Sequence, residues 1–390
     1  MNSVILSAVR TPIGAFGGSL STLPAPRLGA VVIAEAVARA GVKPEEIGEV
    51  IMGNVLSGGV GQAPARQAAI YAGIPKSVPC MTINKVCGSG LKAVMLTDQS
   101  IRLGETDLAV AGGMESMSNA PYFLPKARTG YRMGNGELLD MMIHDGLWDV
   151  YNNFHMGNAG ELCATECNIS RQDQDEYAIL SYKRALEAQK NGWFADEIVP
   201  VKIQDRKGEI VVDKDEEPEK VNFDKVPSLK AVFKKDGTVT AANASSIDDG
   251  AAAVVVASEA KAAAMGVKPL AKIITHVSHA QEPEWFTTAP AEAIKKVCAK
   301  AGMSINDIDL FEVNEAFASV PIFSSRDTGV PYEKINVHGG AIALGHPIGA
   351  SGTRVLVTLI NALKRTGGKY GLATLCIGGG EASAMIIEMM

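Results

Sequence analysis

Cys80-Met81-Thr82-Ile83-Asn84-Lys85-Val86-Cys87-Gly88-Ser89-Gly90 passes from a short strand-like run into a cysteine set among glycines. The segment that follows, Gly90 to Leu103, is apolar on nearly every side, which predicts a helix buried all round. Asp107 to Ala111 then reads as a short apolar strand ending at Gly112-Gly113. Strand, glycine turn, buried helix and strand together make one unit of layered α/β structure. The unit sets the Cys87 thiol near a helix N-terminus, where orphan amides and the helix dipole favour a thiolate. N–H groups of the same turn suit a developing oxyanion. The flanking glycines carry no Cβ, so a second backbone or a ligand can come close. A buried, inert cysteine is the alternative reading of Cys87.

Upstream the alternation continues. Val4 to Val9 reads as a first buried strand, Leu28 to Ala40 as a helix halted by Gly41 and Pro44, Glu49 to Val55 as a strand and Ala63 to Ala72 as a helix. The Cys87 unit also has a weak echo near the end of the chain. Ser89-Gly90, helix, strand Leu108-Ala109-Val110-Ala111 and Gly112-Gly113-Met114-Glu115 are matched by Ser351-Gly352, a helix through Leu363, strand Leu372-Ala373-Thr374-Leu375-Cys376 and Gly378-Gly379-Gly380-Glu381. Two halves with one local plan predict a duplicated domain. Between them the texture changes. Pro121, Pro125, Gly130, Gly134 and Gly136 mark loops. Arg171 to Gln189 is an amphipathic helix with Ser170 as its cap and Asp173 in its first turn. Asp205 to Asp236 mixes lysines with acids and reads as exposed connection, and Ala251 to Ala257 returns to a buried strand or helix of the core. The expected organisation is a first core half over 1–117, an inserted loop domain over 118–243, the rest of the first half over 244–268, and a second half over 269–390.

Composition narrows the class. At 390 residues, with 47% hydrophobic and 21% charged residues, the chain has the makeup of a soluble globular protein of two or three domains. Only 5% of residues are aromatic while 40 are glycine, which favours closely packed α/β layers over a β sandwich. A net charge of −6 argues against nucleic acid as a partner. No apolar run reaches membrane-spanning length, and no basic leader precedes Val4, so a cytoplasmic protein without a membrane partner is expected. Six cysteines in a chain of this size do not form a disulfide framework. Cys163 and Cys167 lack a second pair or a nearby histidine and read as structural thiols rather than a zinc site. His276 and His279, spaced for one helix face, have no accompanying carboxylate motif and read as surface or satisfied core histidines.

Three further stretches hold reactive groups. His346 lies between Gly345 and Pro347, whose ring stiffens the turn, and can act as the base for a cysteine. Cys376 ends a predicted strand, where α/β sheets place their sites, and is trailed by N–H donors of three glycines. Asn314-Glu315-Ala316-Phe317 follows the apolar strand Leu310-Phe311-Glu312-Val313; Asn314 can hold a water or a carbonyl oxygen, or serve only as a helix cap.

With these residues assembled, the chain resembles the thiolase family, specifically its biosynthetic short-chain acetyl-CoA acetyltransferases. The resemblance rests on Asn84-Lys85-Val86-Cys87-Gly88-Ser89-Gly90, Asn314-Glu315-Ala316-Phe317, the run from Gly339 to Gly352 that contains His346, and Cys376-Ile377-Gly378-Gly379-Gly380. It extends over essentially the whole chain. It implies the thiolase fold, duplicated halves in an α-β-α-β-α stack with an inserted loop domain, and a homotetramer built as a dimer of dimers through the loop that Gly130-Tyr131-Arg132-Met133-Gly134 resembles. It implies catalytic roles for Cys87 as nucleophile, His346 as its base, Cys376 as the base that makes the carbanion, and Asn314, through a water, as a partner of the enolate. Backbone N–H groups of Cys87 and Gly378 are implied as the second oxyanion hole. His155, Met156, Phe233, Ala244, Ser245, Ala316 and Phe317 are implied against the acyl group and pantetheine. Close relatives often carry an arginine near the nucleotide; Lys220 and Lys225 stand in that region here. Coenzyme A thioesters are the implied substrates, with no cofactor and no metal. Glu284-Trp285-Phe286 departs from many short-chain relatives and leaves chain length open. The alternatives are a 3-ketoacyl-CoA thiolase of broader or longer chain specificity and, in another class, a non-catalytic CoA- or lipid-binding protein of the same fold.

Overall fold

The computed structural model describes residues 2–206 and 208–390. In the first half β1 (Ser3–Arg10), α1 (Ala25–Arg39), β2 (Glu49–Gly53), α2 (Pro64–Tyr71), β3 (Cys80–Ile83), α3 (Ser89–Leu103) and β4 (Leu108–Ser116) follow in order. An irregular insertion carries α4 (Met156–Glu166) and α5 (Arg171–Lys190), after which β5 (Asp248–Ser258) returns to the core. The second half adds β6 (Ala271–Ala280), α6 (Ala289–Ala301), β7 (Leu310–Val313), α7 (Ser319–Thr328), α8 (Ile348–Thr366), β8 (Tyr370–Ile377) and β9 (Glu381–Met389). β1, β4 and β5 are buried at every position, so they read as unbroken runs of small and apolar residues with little alternation.

The strand order is β7-β8-β9-β6-β1-β5-β4-β2-β3. In the first half β3, β2 and β4 are parallel and β5 and β1 antiparallel. The second half repeats this with β7 and β8 parallel and β9 and β6 antiparallel. An isolated parallel bridge between Phe311 and Ile335 stands where β3 stands in the first half. The two sheets join along one edge through Val4 and Ile5 against Lys272 and Ala271. α1 and α2 cover the outer face of the first sheet, α6 and α7 that of the second, and α3 with α8 fill the space between them. The fold is the expected stack, α-β-α-β-α.

The middle layer decides where the site falls. A Cβ on Gly90 would lie 2.7 Å from the Thr353 nitrogen, and one on Gly352 would lie 2.3 Å from the Leu91 nitrogen. Only glycine at both positions lets the first turns of α3 and α8 touch. The Cys87 loop leads into one helix and the His346 loop into the other. Farther along, Leu91, Val94, Val355 and Leu359 are fully buried, each side chain contributing about 1.5–3 kcal/mol by leaving water.

Three expectations are corrected. β4 does not stop at Gly112-Gly113 but runs to Ser116, because these glycines let the Ala252 carbonyl and the Gly349 carbonyl approach its backbone. The stretch from Asp205 to Asp236 is not wholly exposed. Asp215 is buried against Arg10, which donates from Nη1 and Nη2 at 2.6 and 2.9 Å and from Nε to Glu197 at 2.6 Å. That fork ties the insertion to β1. His276 and His279 lie on strand β6, not a helix; buried His276 meets Asp98 at 3.0 Å and His279 meets Gln281 at 3.0 Å. The cap on α5 is as expected, with the Asp173 amide donating to Ser170 Oγ at 3.0 Å.

Candidate active site

The loop before α3 is held in an unusual shape. Val86 has a φ of 46°, in the left-handed region that a β-branched residue rarely enters, at a cost on the order of 1–3 kcal/mol. Its neighbours hold it there. The Val86 amide donates to Asn84 Oδ1 at 2.9 Å, the Lys85 amide to Ser89 Oγ at 2.8 Å, and the Ser89 hydroxyl to the Val86 carbonyl at 2.7 Å. Cys87 is thereby turned into a cavity of about 260 Å³. Burial pushes its thiol up to about 11, while the N–H groups of Gly378 and of Cys87 itself act in the opposite direction. The expected donors are present, but desolvation outweighs them, so the resting group is a thiol and not a thiolate.

His346 opens on the same cavity. Its Nδ1 lies 2.6 Å from Ser351 Oγ, which donates its single proton to the Pro347 carbonyl at 2.9 Å. The serine therefore accepts from Nδ1–H, and Nε2 is left with its lone pair. Nε2 faces Asn314 Nδ2 at 3.4 Å, and Arg354 Nη2 lies 3.4 Å from Asn314 Oδ1. An arginine only donates, so the carboxamide must turn its oxygen to Arg354 and its NH₂ to His346. Burial first, then the Arg354 charge, lowers the His346 pKa to about 3, which keeps the imidazole neutral. The His346 amide donates to Asp248 Oδ2 at 2.7 Å, fixing the loop from the start of β5.

Cys376, the last residue but one of β8, is fully buried and does not line the cavity, but it lies beside Ala316 and near Cys87, which do. Burial raises its thiol well above the usual range; the neighbouring Cys87 adds to this, and the Ala316 and Cys376 N–H groups oppose it. Two buried glutamates brace the loops. Glu115 accepts from the amides of Val55, Leu56 and Gly349 at 3.0, 3.1 and 2.9 Å, and burial pushes it up to about 7. Glu315 accepts from Tyr177, Ser181, Asn336 and the Ile342 amide at 2.7 to 3.1 Å.

His155, Met156, Phe233, Ala244, Ser245, Ala316, Phe317 and Gly378 all line the cavity. His155 Nδ1 accepts the Gly157 amide at 3.1 Å, capping α4 and leaving Nε2–H as a donor, and its ring stacks on Phe233 at 4.8 Å. Ser245 donates from its amide to the Ala316 carbonyl at 3.0 Å, joining the two loops. Lys220 and Lys225 stand outside the lining, Lys220 paired with Glu217 at 3.0 Å. Met117, Leu147 and Ile247 also line the cavity, and sequence reasoning misses them because apolar residues in loops and helical turns of three to six residues carry no periodic signal. Among the described residues no group of three or more His, Cys, Asp or Glu side chains is arranged to hold a metal ion. No helix among them is long and apolar enough to cross a membrane.

The Cys87 thiol, a neutral imidazole and the Gly378 turn converge on one largely apolar cavity of a duplicated α/β core, and the Cys376 thiol, outside the lining, lies close enough to Cys87 to feel it, an arrangement suited to acyl transfer. The family model for the thiolase N-terminal domain matches residues 3–260 and that for the C-terminal domain matches residues 267–389, so the chain belongs to the thiolase family. Among individual relatives, acetyl-CoA acetyltransferase from Cupriavidus necator is 54% identical over 387 residues, 99% of this chain and 98% of that one. Acetyl-CoA acetyltransferase 2 from Arabidopsis thaliana is 53% identical over 389 residues, 99% and 96% of the two chains. The crystal structure of Acat5 thiolase from Ascaris suum in complex with coenzyme A superposes with a TM-score of 0.96 at 43% identity, covering 100% of both chains.

Proposed function

We propose that the chain is an acetyl-CoA acetyltransferase, catalysing the reversible condensation of two acetyl-CoA molecules to acetoacetyl-CoA and free CoA. The observation that carries this reading is the convergence of Cys87, His346 and the Gly378 N–H on one cavity, with Cys376 near enough to Cys87 for the first sulfur to feel the second. His346 Nε2 takes the Cys87 proton as sulfur attacks the acetyl carbonyl. The oxyanion is held by the Cys87 and Gly378 N–H groups, and the C–S bond to CoA breaks. The departing CoA thiolate takes the proton of Cys376, leaving Cys376 as a thiolate. Burial makes that thiolate a strong base, suited to the methyl proton of the second acetyl-CoA. Protonated His346 and a water on Asn314 hold the enolate oxygen. The carbanion then attacks the acetyl group on Cys87, the tetrahedral oxyanion uses the same N–H pair, and acetoacetyl-CoA leaves as Cys87 recovers its proton from His346. Thiolysis is the reverse path. No step draws on a metal or redox cofactor.

The preference for a short acyl group is supported by the bulky side chains of Phe286 and Phe317, 6.3 Å apart, and Met156 in the cavity lining. Lys220 and Lys225 supply positive charge for the nucleotide end of CoA outside it. The exposed apolar side chains of Tyr122, Leu124, Met133 and Leu138 support assembly as a homotetramer. Six unpaired cysteines suit a reducing cytoplasm. Intact-mass analysis after mixing with acetoacetyl-CoA should find an acetyl group on Cys87. Cys376→Ala should keep that acetylation and lose condensation; acetylation of another cysteine, or condensation unchanged in the variant, would overturn the assignment.

A further inference from the structure

The Cys87 loop and the Gly378 loop come from opposite halves of the chain, yet the oxyanion site needs them in one fixed relation. Apolar contact sets part of it. Gly88 lies against Ile377, and Val86 Cγ1 sits 3.5 Å from where a Cβ on Gly378 would be. Such contacts limit approach but resist sliding weakly. An ion pair crosses the same seam. Lys85, immediately before Val86, donates from Nζ to Glu381 Oε2, immediately after the glycine turn. The two side chains are 22% and 34% exposed, and neither lines the cavity. Lys92, in the first turn of α3, feels both charges and is the alternative cation for Glu381.

We propose that Lys85 and Glu381 form a clasp that sets the Gly378 N–H against the sulfur of Cys87, which makes them positioning residues for the oxyanion donor. The inference rests on the acyl-transfer reading above. The pair touches no substrate atom, so breaking it should act on turnover and leave substrate binding alone. The same N–H pair serves both tetrahedral intermediates, so both half-reactions should slow together. Because Lys92 can replace Lys85, changes at Glu381 are the sharper probe.

The test compares the parent protein with Glu381→Lys, Glu381→Gln, Lys85→Glu and the exchanged pair Lys85→Glu/Glu381→Lys. Single-turnover acetylation of Cys87 by acetoacetyl-CoA is followed by rapid quench and intact mass, alongside steady-state kcat and KM. Glu381→Lys sets a third cation beside Lys85 and Lys92 and should slow acetylation about 10-fold, less than the loss of a whole oxyanion donor. KM should move less than about 2-fold, as expected when only transition-state contacts change. The exchanged pair should recover most of the rate, which a merely structural defect would not do. If Glu381→Lys does not fold, Glu381→Gln carries the same test with a loss of about 3-fold, since it removes attraction without adding repulsion. Parent-like acetylation in the folded variants, a change confined to KM, or an exchanged pair no better than the worse single variant would overturn the clasp. A parent protein never acetylated on Cys87 would instead overturn the acyl-transfer reading.

Discussion

Gly88→Ala tests how closely the two catalytic loops are fitted. Gly88 has a φ of −80° and a ψ of −3°, which alanine adopts without strain, so the backbone is not what excludes a side chain. The exclusion is steric. The added Cβ would lie 2.3 Å from Ile377 Cδ1 and 2.9 Å from its Cγ1, where carbon atoms normally rest about 3.5–4 Å apart. Ile377 is 1% exposed, so it cannot swing out into solvent. Overpacking of this kind costs about 1–3 kcal/mol. Part of the overlap must be relieved by moving the Cys87 loop away from the Gly378 N–H, and a shift near 1 Å there costs on the order of 100-fold in rate. Ile377→Val removes the atom in worst contact at about 0.5–1.5 kcal/mol when made alone. The expected pattern is a slow Gly88→Ala, a nearly parental Ile377→Val, and a double variant about 10-fold faster than Gly88→Ala, a coupling that independent sites do not show. Single-turnover acetylation of Cys87 and thermal melting measure the two effects separately. A parental rate for Gly88→Ala, or strictly additive changes, would refute the steric argument.

Asn314→Ala should slow condensation by about 100- to 1000-fold, the usual cost of one oxyanion donor, with a smaller effect on acetylation of Cys87; equal losses in both steps, measured by rapid quench, would remove its role toward the enolate. Stability should depend on pH with opposite signs from different buried groups. His346 is held at about 3 against an ordinary 6.5, so the unfolded chain binds the extra proton in that window, and the histidine's contribution is full above 6.5 and lost as pH falls toward 3. Glu115 and Glu312, raised to about 7 and about 8 from 4.5, hold their protons in the fold between 4.5 and those values, where the unfolded chain has lost them, and their contributions are lost as pH rises through that window. Urea titrations across pH should therefore show His346→Gln flattening the acid side and Glu115→Gln flattening the side from 4.5 to 7. Activity should survive exhaustive treatment with a chelator, and inhibition reversed by added metal would contradict the proposed mechanism.

Much of the site is legible in the order of residues alone. Those before and after Cys87 announce a turn into a helix, although α3 is not buried all round, since Gln99, Arg102 and Leu103 are exposed, and Ser170 with Asp173 announces the start of α5, because caps and turns are made by neighbours in sequence. Other features are not legible in this way. Nothing local distinguishes Asp215 from the exposed acids around it; only the arrival of Arg10 buries it. The glycines at 112 and 113 look like a strand end, and only the backbones of β5 and the first turn of α8 show why the strand continues through them. The helix dipole at Cys87 points toward a thiolate, and the depth of burial reverses that.

The amino-acid sequence by itself determined which reactive side chains stand at glycine turns and what kind of segment presents each one, since glycine turns, caps and apolar runs act over a few residues. Only the tertiary structure decided that Gly90 and Gly352 would bring two helix starts together, that His346 would stay neutral, and that the Gly378 N–H would face the sulfur of Cys87. Those outcomes depend on desolvation and on contacts between distant halves of the chain, and neither quantity exists until the layers have packed.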